Sequence, residues 1–351
     1  IFRLDAIAFL WKKIGTPSIN LDETHEIIRL LRTLFDHHVE TLIIITETNI
    51  PNHENLTYFG NQNEAHVIYN FSLPPLLTHA LLTGNALYLK RLTRSNPPAL
   101  AGCTYLNFTA SHDGIGLRPT EGALPQGEVD QMLAAIQTFG GRVSMRRGPG
   151  GIEKPYEMNI SYFEAMQGTL DGPDEYQVDR FMAAMAIMLA LEGIPAIYIH
   201  SLLATANGYE EVNLTGHNRS INRRQLDYDR ISEKLADPTT VEAEVFSRFQ
   251  KLIEMRKQQQ AFHPNAVQFT LALPEGLFGV WRQSRDRKQS IFAITNVTKQ
   301  GKTFSLADIN LIAGYTWWDL ISSHLVTDIE SDFFLSPYQT VWFCNMPPGP
   351  V

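Results

Sequence analysis

The chain has 351 residues, 44% of them apolar, which is ample for a large core and leaves room for two domains. A formal net charge of −8 excludes the concentrated basic face that nucleic acid or an anionic membrane surface demands. The two cysteines, Cys103 and Cys344, lie far apart and suggest neither a disulfide framework nor a metal site, which fits a reducing, cytoplasmic setting.

Ile1–Ala6 reads as an apolar strand that opens the chain without an initiator Met, an expectation that residues precede it. Asp22–His37 reads as an amphipathic helix with apolar positions at Ile27, Ile28, Leu30, Leu31 and Leu34. Thr41–Thr46 is a continuous β-branched run, the mark of a parallel strand covered on both faces. Ala65–Phe71 is a weaker strand, and Pro74-Pro75 opens a helix running to about Leu92. Thr104–Ala110 is a strand, Glu175–Leu191 a helix, Ala196–His200 a strand and Val241–Gln259 a helix. The run Phe181–Leu191 is too short to span a bilayer and reads as a buried helix.

From about His263 the texture changes to alternating strands at Val267–Leu273, Leu277–Arg282, Gln289–Asn296, Lys302–Ser305, Thr316–Asp319 and Tyr338–Cys344. The expected organisation is an α/β part over residues 1–261, with inserts at about 114–173 and 202–240, then an antiparallel β domain over 262–351.

Three carboxylates stand at ends of predicted parallel strands, where α/β barrels build their sites. In Phe2-Arg3-Leu4-Asp5-Ala6, alternation points Arg3 and Asp5 the same way, and the guanidinium holds the carboxylate ionised, as a glycosyl nucleophile requires. In Ile45-Thr46-Glu47-Thr48, a Glu emerging from an apolar strand has its pKa raised, as a general acid needs. Ser111-His112-Asp113-Gly114 places a His-Asp pair after a third strand. Each alone reads as readily as a structural ion pair or a strand end reaching water; together they point to a site.

This order of motifs resembles the catalytic signature of the α-amylase superfamily. The resemblance implies that Asp5 is the nucleophile, Glu47 the acid/base and Asp113 the third carboxylate on the sugar hydroxyls. Arg3 would orient Asp5, and His112 would bond the glucosyl ring. It also implies a TIM (β/α)8 barrel of which this chain carries the C-terminal part, strands 4 to 8, with three strands preceding Ile1. The segments Asn70–Leu77, Thr109–Gly116, Lys154–Asn159 and Asn218–Arg223 resemble the sucrose phosphorylase-like subgroup. There Tyr156, Arg219 and Arg223 would bind phosphate or the leaving group. Asn49 and Glu157 depart from true sucrose phosphorylases, and the combination is closest to glucosylglycerate and sucrose-6-phosphate phosphorylases.

The implied reaction is retaining transfer of a glucosyl group from a small α-glucoside to inorganic phosphate, with no cofactor, metal, nucleic-acid or membrane partner. A hydrolase or transglucosidase of the same superfamily and a non-catalytic barrel scaffold are the alternatives. Other features read as bland: Arg146-Arg147 and Lys12-Lys13 as solvated pairs, Gly148–Gly151 as a loop tip, Trp317 and Trp318 as core of the β domain, and His37-His38 without metal partners.

Overall fold

The computed structural model describes residues 1–38, 41–148, 151–309 and 314–348. Five short strands form one parallel sheet: β1 (Phe2–Leu4), β2 (Ile44–Thr46), β3 (Val67–Tyr69), β4 (Thr104–Asn107) and β5 (Ile194–Pro195), in that spatial order. Helices cross between them, as parallel pairing requires. The longer ones are α1 (Asp22–His38), α2 (Leu73–Thr83) and α3 (Leu87–Ser95), then α4 (Gln126–Thr138) and α5 (Gln177–Ala190), and α6 (Val241–Lys257) follows the last strand.

α5 is buried on every face: all residues from Arg180 to Ala190 are buried, so its sequence shows no polar stripe. No helix among the described residues is long and apolar enough to cross a membrane.

The sequence-based expectations need correction at two places. The helix expected to run from Pro74 to Leu92 is two helices, because Gly84 closes α2 in the left-handed conformation at φ 68°. The strand expected at Ala196–His200 lies two residues earlier, at Ile194–Pro195, and a short helix begins at Ile199. Gly193 sets this shift: at φ 122°, a side-chain carbon there would stand 2.5 Å from the Tyr105 carbonyl oxygen, so glycine lets the chain press against β4 and pair early. The stretch expected as an insert after β4 holds α4 and a hairpin, Arg142–Arg147 against Glu153–Asn159, whose second strand also pairs with Ile115–Gly116.

Beyond α6 an antiparallel sheet takes over: β6 (Val267–Thr270), β7 (Leu277–Gln283), β8 (Ser290–Asn296), β9 (Trp317–Asp319), β10 (His324–Val326) and β11 (Thr340–Cys344), in the order β6-β7-β8-β11-β9-β10. Lys302–Ser305 pairs separately with Asp332–Leu335. One face of the large sheet, with Phe278, Val280, Ile291, Ala293 and Trp342, joins the same apolar cluster as α5 and α2. The other face packs on a cluster of its own around Phe292, Trp317 and Phe343. Trp317 is thus core, while Trp318 is half-buried.

Candidate active site

Register brings the first two carboxylates together. β1 and β2 pair with Arg3 opposite Ile45 and Leu4 opposite Thr46, so Asp5 and Glu47 leave the sheet side by side at its C-terminal edge. Ala6, immediately after Asp5, takes a left-handed turn (φ 45°) that aims its N–H at Glu47, donating to Oε2 at 2.8 Å. The Glu47 N–H in turn donates to the Leu4 carbonyl at 3.1 Å. Arg3 Nη1 contacts Asp5 Oδ1 at 2.5 Å, and its Nε donates to the Tyr69 hydroxyl at the end of β3 at 3.2 Å. The ends of β1 and β3 therefore fix one guanidinium and the carboxylate it neutralises.

The two carboxyls have different surroundings. The Asp5 side chain is 73% exposed. Glu47 is 9% exposed, and burial first of all pushes its pKa up, with the charges of Asp5 and Asp113 adding to the push. The Ala6 amide and the Arg3 guanidinium oppose it without reversing the direction. Paired carboxyls with unlike surroundings are how one site obtains both an acid and a nucleophile.

The third carboxylate arrives on the loop after β4. Asn222 ties that loop down, donating from Nδ2 to the carbonyls of Ser111 (3.1 Å) and Asp113 (2.9 Å). Asp113 Oδ1 accepts from Arg219 Nη1 at 2.6 Å and from Arg223 Nη2 at 3.0 Å, while His112 Nε2 stands 3.8 Å from Oδ2. Arg223 Nε also donates to the His112 carbonyl at 2.5 Å. Arg219 is gripped from behind by Glu157, through Nε to Oε2 at 2.9 Å and through Nη2 to Oε1. Glu157 is 2% exposed and lies opposite Gly116 on the hairpin, which carries Tyr156 beside it. Burial, then the Glu157 charge, raises the Tyr156 hydroxyl pKa, and Asn49 hydrogen-bonds its side chain.

Arg3, Asp5 and Glu47 thus form one group and His112, Asp113, Glu157, Arg219 and Arg223 another. The first group stands at the ends of β1 and β2 and the second gathers on the loop after β4, so both lie at the C-terminal edge of the sheet. Three contributors were not assigned from the sequence. Tyr69 had no signal beyond ending an apolar strand. Asn222 lay inside the Asn218–Arg223 segment without a role, and Asn49 was noted only as a departure. Among the bland features, Arg146 pairs with Glu121 (2.5 Å) and Lys13 with Glu23 (3.0 Å). Pro149 and Gly150 of the glycine-rich run lie outside the described residues. Both cysteines are free and buried.

No protein-family model matches the chain. A glucosylglycerate phosphorylase of Spirochaeta thermophila is 39% identical over 342 residues, 97% of this chain and 56% of the relative. A sucrose phosphorylase of Agrobacterium vitis is 28% identical over 74% of this chain and 50% of its own length. The chain therefore spans little more than half the length of these curated relatives. In structure it resembles sucrose 6F-phosphate phosphorylase from Thermoanaerobacter thermosaccharolyticum, with a TM-score of 0.69 over 84% of this chain and 55% of that one, at 22% identity. That likeness is one of fold alone, and the fold of this chain is a parallel sheet followed by an antiparallel one. Over nearly its whole length, then, the chain is similar in sequence to a glucosylglycerate phosphorylase, and over about three quarters of it to a sucrose phosphorylase.

Proposed function

We propose that this chain carries the reaction centre of a retaining α-glucoside phosphorylase whose donor is glucosylglycerate. The observation that carries the reading is the asymmetric pair: an exposed Asp5 ion-paired to Arg3, and a buried Glu47 with raised pKa beside it. On this reading Asp5 attacks the anomeric carbon while Glu47 gives its proton to the departing glycerate oxygen. Phosphate then attacks the glucosyl–Asp5 ester, Glu47 takes back a proton, and α-glucose 1-phosphate leaves with configuration retained. Asp113 and His112 hold the sugar, Tyr156, Arg219 and Arg223 hold the anion and the leaving group, and Glu157 serves that side by holding Arg219 in place. Glycerate as acceptor is favoured by the 39% identity to a glucosylglycerate phosphorylase against 28% for a sucrose phosphorylase.

We further propose that β1–β5 are strands 4 to 8 of an eight-stranded barrel, with residues 1–261 on the barrel side and 262–351 forming the β domain. In support, β1 and β5 each pair on one side only among the described residues, and Phe2, Phe9, Leu10, Trp11 and Ile14 expose apolar surface near β1. Both proposals meet in one experiment. Fusing the chain behind the preceding part of the Spirochaeta thermophila relative is expected to give phosphate-dependent release of α-glucose 1-phosphate from glucosylglycerate. The chain alone is expected to be inactive. Release of glucose without phosphate dependence would make the protein a hydrolase, and full activity of the chain alone would show that five strands suffice.

The pH profile supplies a second test. Glu47 must enter the first step protonated, and a raised pKa keeps it so beyond the ordinary carboxylate range. The alkaline limb of kcat/KM is therefore expected above that range, with activity lost as pH rises through it. A limb within the ordinary carboxylate range would remove Glu47 from the acid role.

A further inference from the structure

We infer that Tyr69 is a positioning residue for the transfer proposed above: held by Asn55, it sets the plane of the Arg3 guanidinium and so the direction in which Asp5 presents its carboxylate. The inference rests on reading Asp5 as the nucleophile and Glu47 as the acid.

Asp5 stands on the turn after β1 with an exposed side chain, so packing does little to choose among its rotamers. The choice falls to Arg3, whose Nη1 lies 2.5 Å from Asp5 Oδ1. One such contact leaves a planar guanidinium free to turn about it. A second contact, at the Nε edge, fixes the plane. Nε donates to the Tyr69 hydroxyl at 3.2 Å, and the cation lies 5.6 Å from the centre of the same ring.

Tyr69 is itself held at both ends. Its ring stacks on Phe71 (centroids 5.6 Å apart, planes at 24°) and meets Phe108 edge-on (5.4 Å, 73°). Phe71 and Phe108 also meet edge-on at 5.2 Å, so the three rings lock one another. At the other end the Tyr69 carbonyl accepts from Asn55 Nδ2 at 2.8 Å, and Asn55 Oδ1 accepts from the Thr48 hydroxyl at 2.5 Å. Asn55 and Thr48 are buried, and Thr48 directly follows Glu47. A brace therefore runs from the residue after the acid, through Asn55 and Tyr69, to the guanidinium on the nucleophile. It holds acid and nucleophile in one frame, and Tyr69 acts on the reaction through Arg3.

α-Glucosyl fluoride, whose departure needs no acid, reads the nucleophilic step in the fusion protein. Tyr69→Phe keeps the ring in its cluster and removes only the hydroxyl. It is expected to lower kcat on the order of 10–10²-fold, with KM and the denaturant midpoint nearly unchanged. Arg3→Lys keeps a cation beside Asp5 but has no fork to orient, so Tyr69→Phe added to Arg3→Lys is expected to cost nothing further. Full kcat in Tyr69→Phe, a loss confined to KM, or a loss matched by a fall in the midpoint overturns the inference. So does an equal loss in the Arg3→Lys background, which would put the hydroxyl on the substrate itself. A second arm needs no activity: Arg3 is expected to react severalfold faster with phenylglyoxal in Tyr69→Phe than in wild type, read by mass spectrometry. An unchanged rate overturns the inference. A faster rate in a protein that transfers no glucosyl group sinks the phosphorylase reading and leaves Tyr69 as the residue that sets Arg3.

Discussion

Asp5→Asn is expected to abolish the proposed glucosyl transfer, with kcat falling on the order of 10⁴-fold or more, since in the proposed reaction Asp5 forms the covalent intermediate. The amide keeps the shape of the carboxylate that Arg3 holds at 2.5 Å, so folding should survive and the loss should be chemical. Glu47→Gln is expected to behave differently with different donors. A glucoside with a poor leaving group needs the buried acid and should lose on the order of 10²–10⁴-fold. A donor such as α-glucosyl fluoride needs no proton to depart, and the anionic phosphate that follows needs little help to attack, so most of the loss should be recovered. The measurement is kcat/KM for both variants on both donors. Equal losses for Glu47→Gln on the two donors would contradict the division of labour between an exposed nucleophile and a buried acid.

Arg180→Met is expected to be the most destabilising single change in the core, at about 3–5 kcal/mol. Arg180 is wholly buried in α5, and its guanidinium donates to the Met166 carbonyl (2.7 Å), to Asp174 (2.5 Å) and to the Tyr338 hydroxyl (3.0 Å). It also lies 4.4 Å over the Tyr338 ring. Methionine fills much of the volume but strands the largely buried Asp174 and an unpaired carbonyl, and a charge without its partner costs more than the pair gains. Adding Asp174→Asn to this background should recover part of the loss, because the two residues share one interaction. Denaturant unfolding midpoints of the single and double variants check this. A midpoint unmoved by Arg180→Met would show that the buried charge contributes no net stability.

Legibility in the sequence followed the periodicity of each segment. Thr41–Thr46 and Asp22–His37 were readable because one is continuously β-branched and the other amphipathic over several turns, although Leu30 and Leu34 remain exposed on α1. The Arg3–Asp5 pairing followed from strand alternation alone, and the raised pKa of Glu47 from its emergence out of an apolar run. The hairpin from Arg142 to Asn159 was not readable, since its strands are mostly charged or polar and the register shifts between Ser144 and Met145. Ala196–His200 misled because its alternation is that of a strand, while the pairing is decided by Gly193, whose backbone angle no pattern displays. The grip of Glu157 on Arg219 joins residues 62 apart in sequence, and only the folded hairpin brings them into contact.

The burial of α5 on all sides has a consequence for how this chain can be divided. The helix lies between α2 and the face of the antiparallel sheet formed by Phe278, Val280, Ile291, Ala293 and Trp342, and one continuous apolar cluster runs through all three. A cut near residue 262 would therefore strip the cover from Met182, Met185 and their neighbours instead of separating two self-sufficient units. The antiparallel sheet serves the α/β part as an outer shell, and changes on one side of α5 have to be matched on the other. Exchange of this C-terminal region between distant relatives is constrained by the packing of one helix, whatever chemistry each performs at the far end of the strands.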